Sequence, residues 1–425
     1  MIKEKLLSVL YKKKTKDFFV YGIGQVVNIL TPLLITPYLL FVCGFEKLGV
    51  IAMGQAFAYI LIVVVDYSSY IVGVRETSIN RDDHAALQDI FKTNYAAKFL
   101  LLLLVCLITF LLTVFVPYFR ENMVVFYLSL SIIVGQFINP TWFLQGIENF
   151  LWITIINVIS KAINVIGVIL LITSADDYIY ANLLLGGGAI VANLIGFLWL
   201  VKKYKFSFRD FSSVAIADLL RNNFPFCVSQ LFFAIRNYSS VMIIGFFAGN
   251  YVAGQFKVIE QIVNLFRTYL QMFFKFSYSY ICFEIDRNLK KGIHLWKKLN
   301  GLNTIFLIVL LTVVFFFSDL VLRFFKVDKT MLLEFVSYLH IGLLIPLLIG
   351  VTLPMEQLLF SLNKNRYYIS ITIASTILNA VGITIAMTYF ALREAFFVLI
   401  ITELCLICIY LLILKPYFAV SDPKH

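Results

Sequence analysis

Of 425 residues, 61% are hydrophobic and only 14% charged, with a mean hydropathy of +0.91. Soluble domains carry about a quarter charged residues, so this composition excludes a soluble enzyme or binding module and defines an integral membrane protein. The net charge of +11 would suggest nucleic acid in a soluble chain. In a membrane protein it is the Lys and Arg excess of cytoplasmic loops, and no nucleic-acid partner is expected.

In chain order, Lys3, Lys5, Lys12, Lys13, Lys14 and Lys16 precede an apolar stretch too long for a cleaved signal. Leu6, Leu7, Val9 and Leu10 among them suit a short helix on the membrane surface or a basic tail. A span needs about 20 apolar residues at 1.5 Å each. Twelve segments qualify: 18–42, 48–73, 96–116, 123–146, 150–172, 179–201, 223–247, 251–275, 299–318, 335–360, 367–390 and 396–414. The predicted fold class is therefore all-α and polytopic, with about twelve helices. With both termini cytoplasmic, Lys and Arg favour the inner loops by about four to one. Lys98, at the start of the third span, is counted with the inner loops. Trp142, Trp152, Trp199 and Trp296 fall near the inner boundary, as interfacial indoles do.

Laying the chain on itself at an offset of 205 pairs Gly44 with Gly249, Gly49 with Gly254, Gln55 with Glu260, and Asp66 with Gln271. At an offset of 214, Pro140 meets Pro354 and Asn149 meets Asn363. The repeat predicts two six-helix bundles, residues 1–206 and 207–425, an arrangement common among transporters.

The eighth span is the most polar. Lys257, Glu260, Gln261, Asn264, Arg267, Gln271 and Lys275 recur at spacings of three and four, and so share one helical face. Each central charge facing lipid would cost at least about 2.5 kcal/mol, so the stripe must face protein or water. The first span offers Asn28. The second has Gln55, Tyr59 and Asp66, and the fifth has Thr154, Asn157, Lys161 and Asn164. The seventh carries Arg236, and Glu403 stands alone in the twelfth. Two readings of these groups stay open: ion pairs that hold helices together, Lys257 with Glu260 for instance, or walls of an aqueous cavity. Counted as a cavity, Lys161, Arg236, Lys257, Arg267 and Lys275 stand against Asp66, Glu260, Glu356 and Glu403, a balance that suits an anionic or sugar-like substrate better than a cation.

Other features are read structurally. Gly188, Ala192 and Gly196 form a small-residue ridge for close helix packing. His340 is a hydrogen-bonded core histidine or a proton relay. The six cysteines, including the Cys405-x-x-Cys408 pair, are buried hydrophobes without zinc-ligand company. Asp82-Asp83 and Asp176-Asp177 are solvated loop acids. No GxxxxGK[ST] loop occurs, so no intrinsic ATPase is expected, and neither a cofactor nor a metal is implied.

Two stretches carry a family resemblance. Asn28-Ile-Leu-Thr-Pro-Leu-Leu-Ile-Thr-Pro-Tyr-Leu-Leu with Gly44-Phe-Glu-Lys-Leu-Gly49, and Asn139-Pro-Thr-Trp-Phe-Leu-Gln-Gly-Ile-Glu, resemble the Wzx-type O-antigen flippases, the second as their Pro-x-Trp-x-x-Gln-Gly signature. Thr402-Glu403 is also similar. The matched positions are Asn28, Pro32, Pro37, Gly44, Gly49, Pro140, Trp142, Gln145 and Gly146. The resemblance implies a non-enzymatic, multi-pass protein of the bacterial inner membrane. Its implied substrate is undecaprenyl-diphosphate bearing one oligosaccharide repeat, turned from inner to outer leaflet by alternating access, with membrane lipids and other polysaccharide-assembly membrane proteins as partners. On that reading Arg236, Lys257 and Arg267 hold the diphosphate, and Asn28, Gln55, Asn157, Lys161, Asn164, Asn264 and Gln271 line the substrate path. Asp66, Glu260 or Glu403 takes a coupling ion, and Pro140, Trp142, Gln145, Gly146 and Pro354 form a hinge and gate. The rivals are a drug or cation antiporter on the same scaffold and a membrane polymerase acting on lipid-linked sugars.

Overall fold

The structure is a computed structural model describing the backbone of residues 2–208, 211–362 and 364–420, with the side chains of 2–21, 23, 25, 279, 365, 366, 419 and 420 outside the description. The side chains behind the amphipathic reading of the N-terminal stretch, and Asn363 of the repeat, therefore lie outside the described residues. The described chain is all-helical. In order it forms α1 (Ile2–Asp66), α2 (Val74–Ile79), α3 (His84–Phe115), α4 (Pro117–Glu121), α5 (Met123–Ile138), α6 (Thr141–Gly146), α7 (Phe150–Leu171) and α8 (Ala181–Tyr204). Then follow α9 (Ser213–Ala248), α10 (Asn250–Arg287), α11 (Leu289–Phe316), α12 (Ser318–Phe324), α13 (Leu332–Gly342), α14 (Leu344–Ser361), α15 (Asn365–Tyr389) and α16 (Leu392–Val420).

Among the described residues, 10 helices are long and apolar enough to cross a membrane. The twelve predicted spans differ from these in two places. The first two form one helix, α1, broken only at Gly44 (φ 73°, ψ 176°). The eighth, α10, is long enough but too charged to qualify. Gly249, the repeat mate of Gly44, has φ 89° and ψ 168° and sits at the start of α10. That corner of backbone space is open essentially to glycine alone. Neither glycine would crowd an added Cβ, so the torsion itself demands glycine. Gly249→Ala is expected to lower stability by about 1–3 kcal/mol, seen as a reduced Tm in detergent. Gly301→Ala, at a helical site with open space, should be neutral or gain roughly 0.5–1 kcal/mol.

The chain divides into two compact units, residues 1–35 with 42–234, and 36–41 with 235–425. In the first unit α8 packs on α5 and α7 through small residues, as the ridge predicted. A Cβ on Gly186 would lie 2.4 Å from Ile132 N, one on Gly188 2.5 Å from the Ser160 carbonyl, and one on Gly196 2.3 Å from Ile156. Buried amides tie the same helices: Asn193 donates to the Gly135 carbonyl at 2.8 Å, and Asn182 to Ser129 Oγ at 2.8 Å. Beside them an aromatic cluster of Phe91, Tyr95, Trp142, Phe143 and Phe206 fills the end of the unit. In the second unit, Trp296, Met355, Leu358, Leu406 and Tyr410 form the main core.

Several expectations need correction here. Trp142 (0% exposed) and Trp296 (8%) are buried, not headgroup-facing indoles. Trp296 instead donates to the Pro354 carbonyl at 3.0 Å. Cys405 and Cys408 lie on an exposed helix face rather than in the core. Asp83 is not a plain loop acid: it caps α3, accepting from Ala85 N (3.0 Å) and Ala86 N (3.1 Å). Asp177 likewise closes a capping box with Ser174. His340 bonds Ser318 Oγ at 3.2 Å and stacks on Phe315, which matches the structural reading.

Candidate functional site: charges buried within the spans

In the second unit, α10 buries its apolar face. Val258, Ile259, Ile262 and Val263 are at most 3% exposed, so the helix meets protein on its apolar side. Its polar stripe is self-matched at the start: Lys257 Nζ lies 2.9 Å from Glu260 Oε2, the pairing the sequence suggested. One turn on, Arg267 Nη1 donates to Asn264 Oδ1 at 3.1 Å. Gln271 is half-buried and Lys275 exposed.

Glu403 does not stand alone. Arg236 on α9 meets it at 2.8 Å and Glu356 of α14 at 3.7 Å. Thr352 Oγ1 donates to Glu403 Oε2 at 2.9 Å, and Tyr410 OH to Glu356 Oε1 at 3.1 Å. The three charged side chains are 9–13% exposed, so one guanidinium shares two carboxylates in a largely dry setting. Arg236, expected from the sequence to hold the diphosphate, is here placed between the two acids. Thr352 and Glu356 lie one turn apart on α14, flanking Pro354, which lies inside that helix and removes a ladder donor. Around this break, Gln357 donates to Ser277 Oγ at 2.9 Å and accepts from Asn300 at 3.3 Å.

In the first unit, α1 ends at Asp66. Tyr67 (φ 41°) and Ser68 (φ 72°) then adopt left-handed torsions, and Ser69–Gly73 forms one π-helical turn. Lys98 of α3, 1% exposed, places Nζ 2.9 Å from Asp66 Oδ1. The same ammonium lies 5.6 Å from the Trp142 ring. Gln136 reaches Asp66 at 3.5 Å, and Asn139 donates to Gln136 at 3.1 Å and to Tyr70 OH at 2.9 Å. Tyr70 OH also bonds Thr141 Oγ1.

The Asn139–Asn149 stretch therefore does three things. Pro140 ends α5 and opens α6, whose Trp142 is sealed in the aromatic cluster. Gly146 lies so close to α2 that a Cβ would sit 2.5 Å from Thr77 Cβ. Asn149 caps α7 by accepting from Trp152 N at 3.4 Å. Gln145 is exposed. On α7, Thr154 and Asn164 are buried, while Asn157 and Lys161 are half-buried, as are Asn28 and Gln55 of α1.

Lys98 is the residue that sequence reading misplaced, assigning it to a cytoplasmic segment. Its signal was periodicity: Phe91, Asn94, Tyr95, Lys98, Leu102 and Val105 recur at three and four along α3, and all are buried. The structure also resolves the earlier count of bases against acids. Asp66 is matched by Lys98, Glu260 by Lys257, and Glu403 with Glu356 by Arg236. Among the described residues, neither Arg267 nor Lys161 has a carboxylate within the 4.0 Å ion-pair distance.

Spans whose charges sit inside the protein rather than on its lipid face define a multi-pass membrane protein built to handle a polar cargo or to move. The chain belongs to the polysaccharide biosynthesis protein family, whose profile matches residues 15–281. That range contains the Asn28–Gly49 and Asn139–Glu148 stretches that carried the resemblance. The chain is 24% identical over 277 residues to a protein of Escherichia coli (strain K12) named "Putative O-antigen transporter", covering 65% of this chain and 67% of that one. A Shigella dysenteriae protein of the same name is 26% identical over 248 residues, 58% of this chain and 60% of the relative. The fold is shared with a MOP superfamily transporter from Pyrococcus furiosus, at a TM-score of 0.61 and 15% identity over 95% of both chains.

Proposed function

We propose that the protein carries O-antigen-type repeat units, linked to a polyprenyl diphosphate, from the inner to the outer leaflet of the bacterial inner membrane by alternating access. The observation that carries this reading is the unmatched positive charge within the spans. Arg267 in one unit and Lys161 in the other have no carboxylate at ion-pair distance among the described residues. A half-buried cation with no carboxylate at ion-pair distance is available to an anion, and a guanidinium fork suits phosphate oxygens. In the second unit an anionic head group supplies the missing partner of Arg267, with the amides of Asn264 and Gln271 on the same helix available to sugar hydroxyls. The polyprenyl tail stays in the bilayer, since exposing it to water costs about 0.8 kcal/mol per CH₂. The names of the two bacterial relatives agree with an O-antigen cargo.

Ion coupling falls to Glu403 with Glu356, because these two acids share a single guanidinium, whereas Asp66 and Glu260 are each matched one to one. The two-unit organisation and the breaks at Pro140 and Pro354 suit a carrier that rocks between states.

The test is complementation. Expressed in a strain lacking its own repeat-unit translocase, the protein should restore long-chain surface polysaccharide and clear single repeat units from the inner leaflet. Drug resistance without any change in surface glycans would point to the antiporter. In a second strain that has a translocase but lacks its polymerase, conversion of single capped units into long chains on expression would point to a polymerase.

A further inference from the structure

We propose that Lys98 is the positioning residue of a latch that holds the Asp66–Gly73 break in one of two backbone states. This rests on the alternating-access reading above for its role in transport, but its geometry lies wholly within the first unit.

Two consecutive non-glycine residues, Tyr67 and Ser68, have left-handed torsions. Such torsions persist only where the surroundings over-determine them. Next comes a π-turn at Ser69–Gly73 running directly into α2. A π-turn is an α-helix with an added residue, frequent at functional sites. Its conversion to the α ladder turns everything downstream by about 100° per residue. The segment therefore has a second regular state, a continuous helix from α1 into α2.

The present state is held from one side by charge. Lys98 is 1% exposed and 2.9 Å from Asp66, the last helical residue before the break. Tyr67 OH donates to the Leu220 carbonyl at 2.8 Å, and Ser69 Oγ to the Asp66 carbonyl at 2.6 Å. From the other side the signature stretch senses the turn. Gln136 and Asn139 link Asp66 to Tyr70, Tyr70 bonds Thr141, and the Trp142 ring lies 2.9 Å from where a Gly73 Cβ would stand. Each end of the π-turn thus touches the Asn139–Gly146 segment, and the one full charge on that turn's anchor is neutralised by Lys98. On this proposal Asp66 serves as the counter-ion of Lys98.

The test uses the full-length protein in detergent, followed by hydrogen exchange, alongside complementation in the translocase-null strain. Lys98→Met should raise exchange of the 67–79 amides at least tenfold while leaving α8 unchanged, and should cut polysaccharide export at least tenfold at normal protein level. Lys98→Arg should retain both properties. If Lys98→Met does not accumulate, the pair Asp66→Asn with Lys98→Met removes both charges and is read the same way. Unchanged exchange at 67–79 would overturn the latch. Raised exchange with wild-type export would overturn its part in transport. A wild-type chain that fails to complement would sink the flippase reading, and hydrogen exchange would still judge the latch.

Discussion

Arg236→Ala is expected to be the most destabilising single substitution in the second unit, costing about 3–5 kcal/mol. The cost comes from what remains. Glu403 and Glu356, 9% and 12% exposed, would face each other with no cation between them. Hydrogen bonds from Thr352 and Tyr410 supply only neutral donors. The measurement is thermal stability in detergent by size-exclusion chromatography. Glu356→Gln is the contrasting variant: it leaves one guanidinium facing one carboxylate, so its Tm should stay near wild type. An Arg236→Ala protein as stable as wild type would mean that both acids are hydrated, and the charge argument for this cluster would fail.

Arg267→Ala should behave in the opposite way, keeping the fold and losing transport. No acid is left unpaired by the change, because the described partner of Arg267 is the Asn264 amide at 3.1 Å. Hydrogen bonds to charged groups contribute about 1.5–3 kcal/mol, so loss of a diphosphate contact should lower export by roughly 10- to 100-fold. The readout is the surface polysaccharide ladder together with inner-leaflet repeat units. Normal ladders from Arg267→Ala would remove the diphosphate from this site.

Much of this architecture was legible because a bilayer makes hydropathy decisive. Apolar runs marked the helices, and the spacing of Lys257, Glu260, Asn264 and Arg267 marked α10 as a helix that cannot face lipid. The glycine repeat was legible for a different reason. Gly44 and Gly249 share a torsion that other residues rarely adopt, so the constraint is written into residue type. Pairings between helices were not legible. Nothing in the spacing of Arg236, Thr352, Glu356 and Glu403 says that three helices bring them together. Lys98 shows the limit most clearly. Charge alone suggested a loop, whereas its apolar-stripe position beside Phe91, Tyr95 and Leu102 was the better guide. Trp142 was misread for a related reason: an indole near a membrane boundary has the same one-dimensional signature whether it meets headgroups or seals a core.

The packing of α8 sets a mechanical condition on the first unit. Gly186 rests against the backbone of Ser131 and Ile132, and Gly188 against that of Ser160. For α8 to slide by one helical turn, about 5.4 Å, larger side chains would have to pass through contacts that admit no Cβ. Gear teeth cut this shallow still lock when they touch the shaft. Helices α5, α7 and α8 therefore travel as one block, and bending within the unit is left to breaks outside that block, at Gly44 and at residues 67–73, where the chain leaves the helical ladder. A cross-link between α5 and α8 would then be silent, whereas one pinning residues 67–73 to the block would freeze that break.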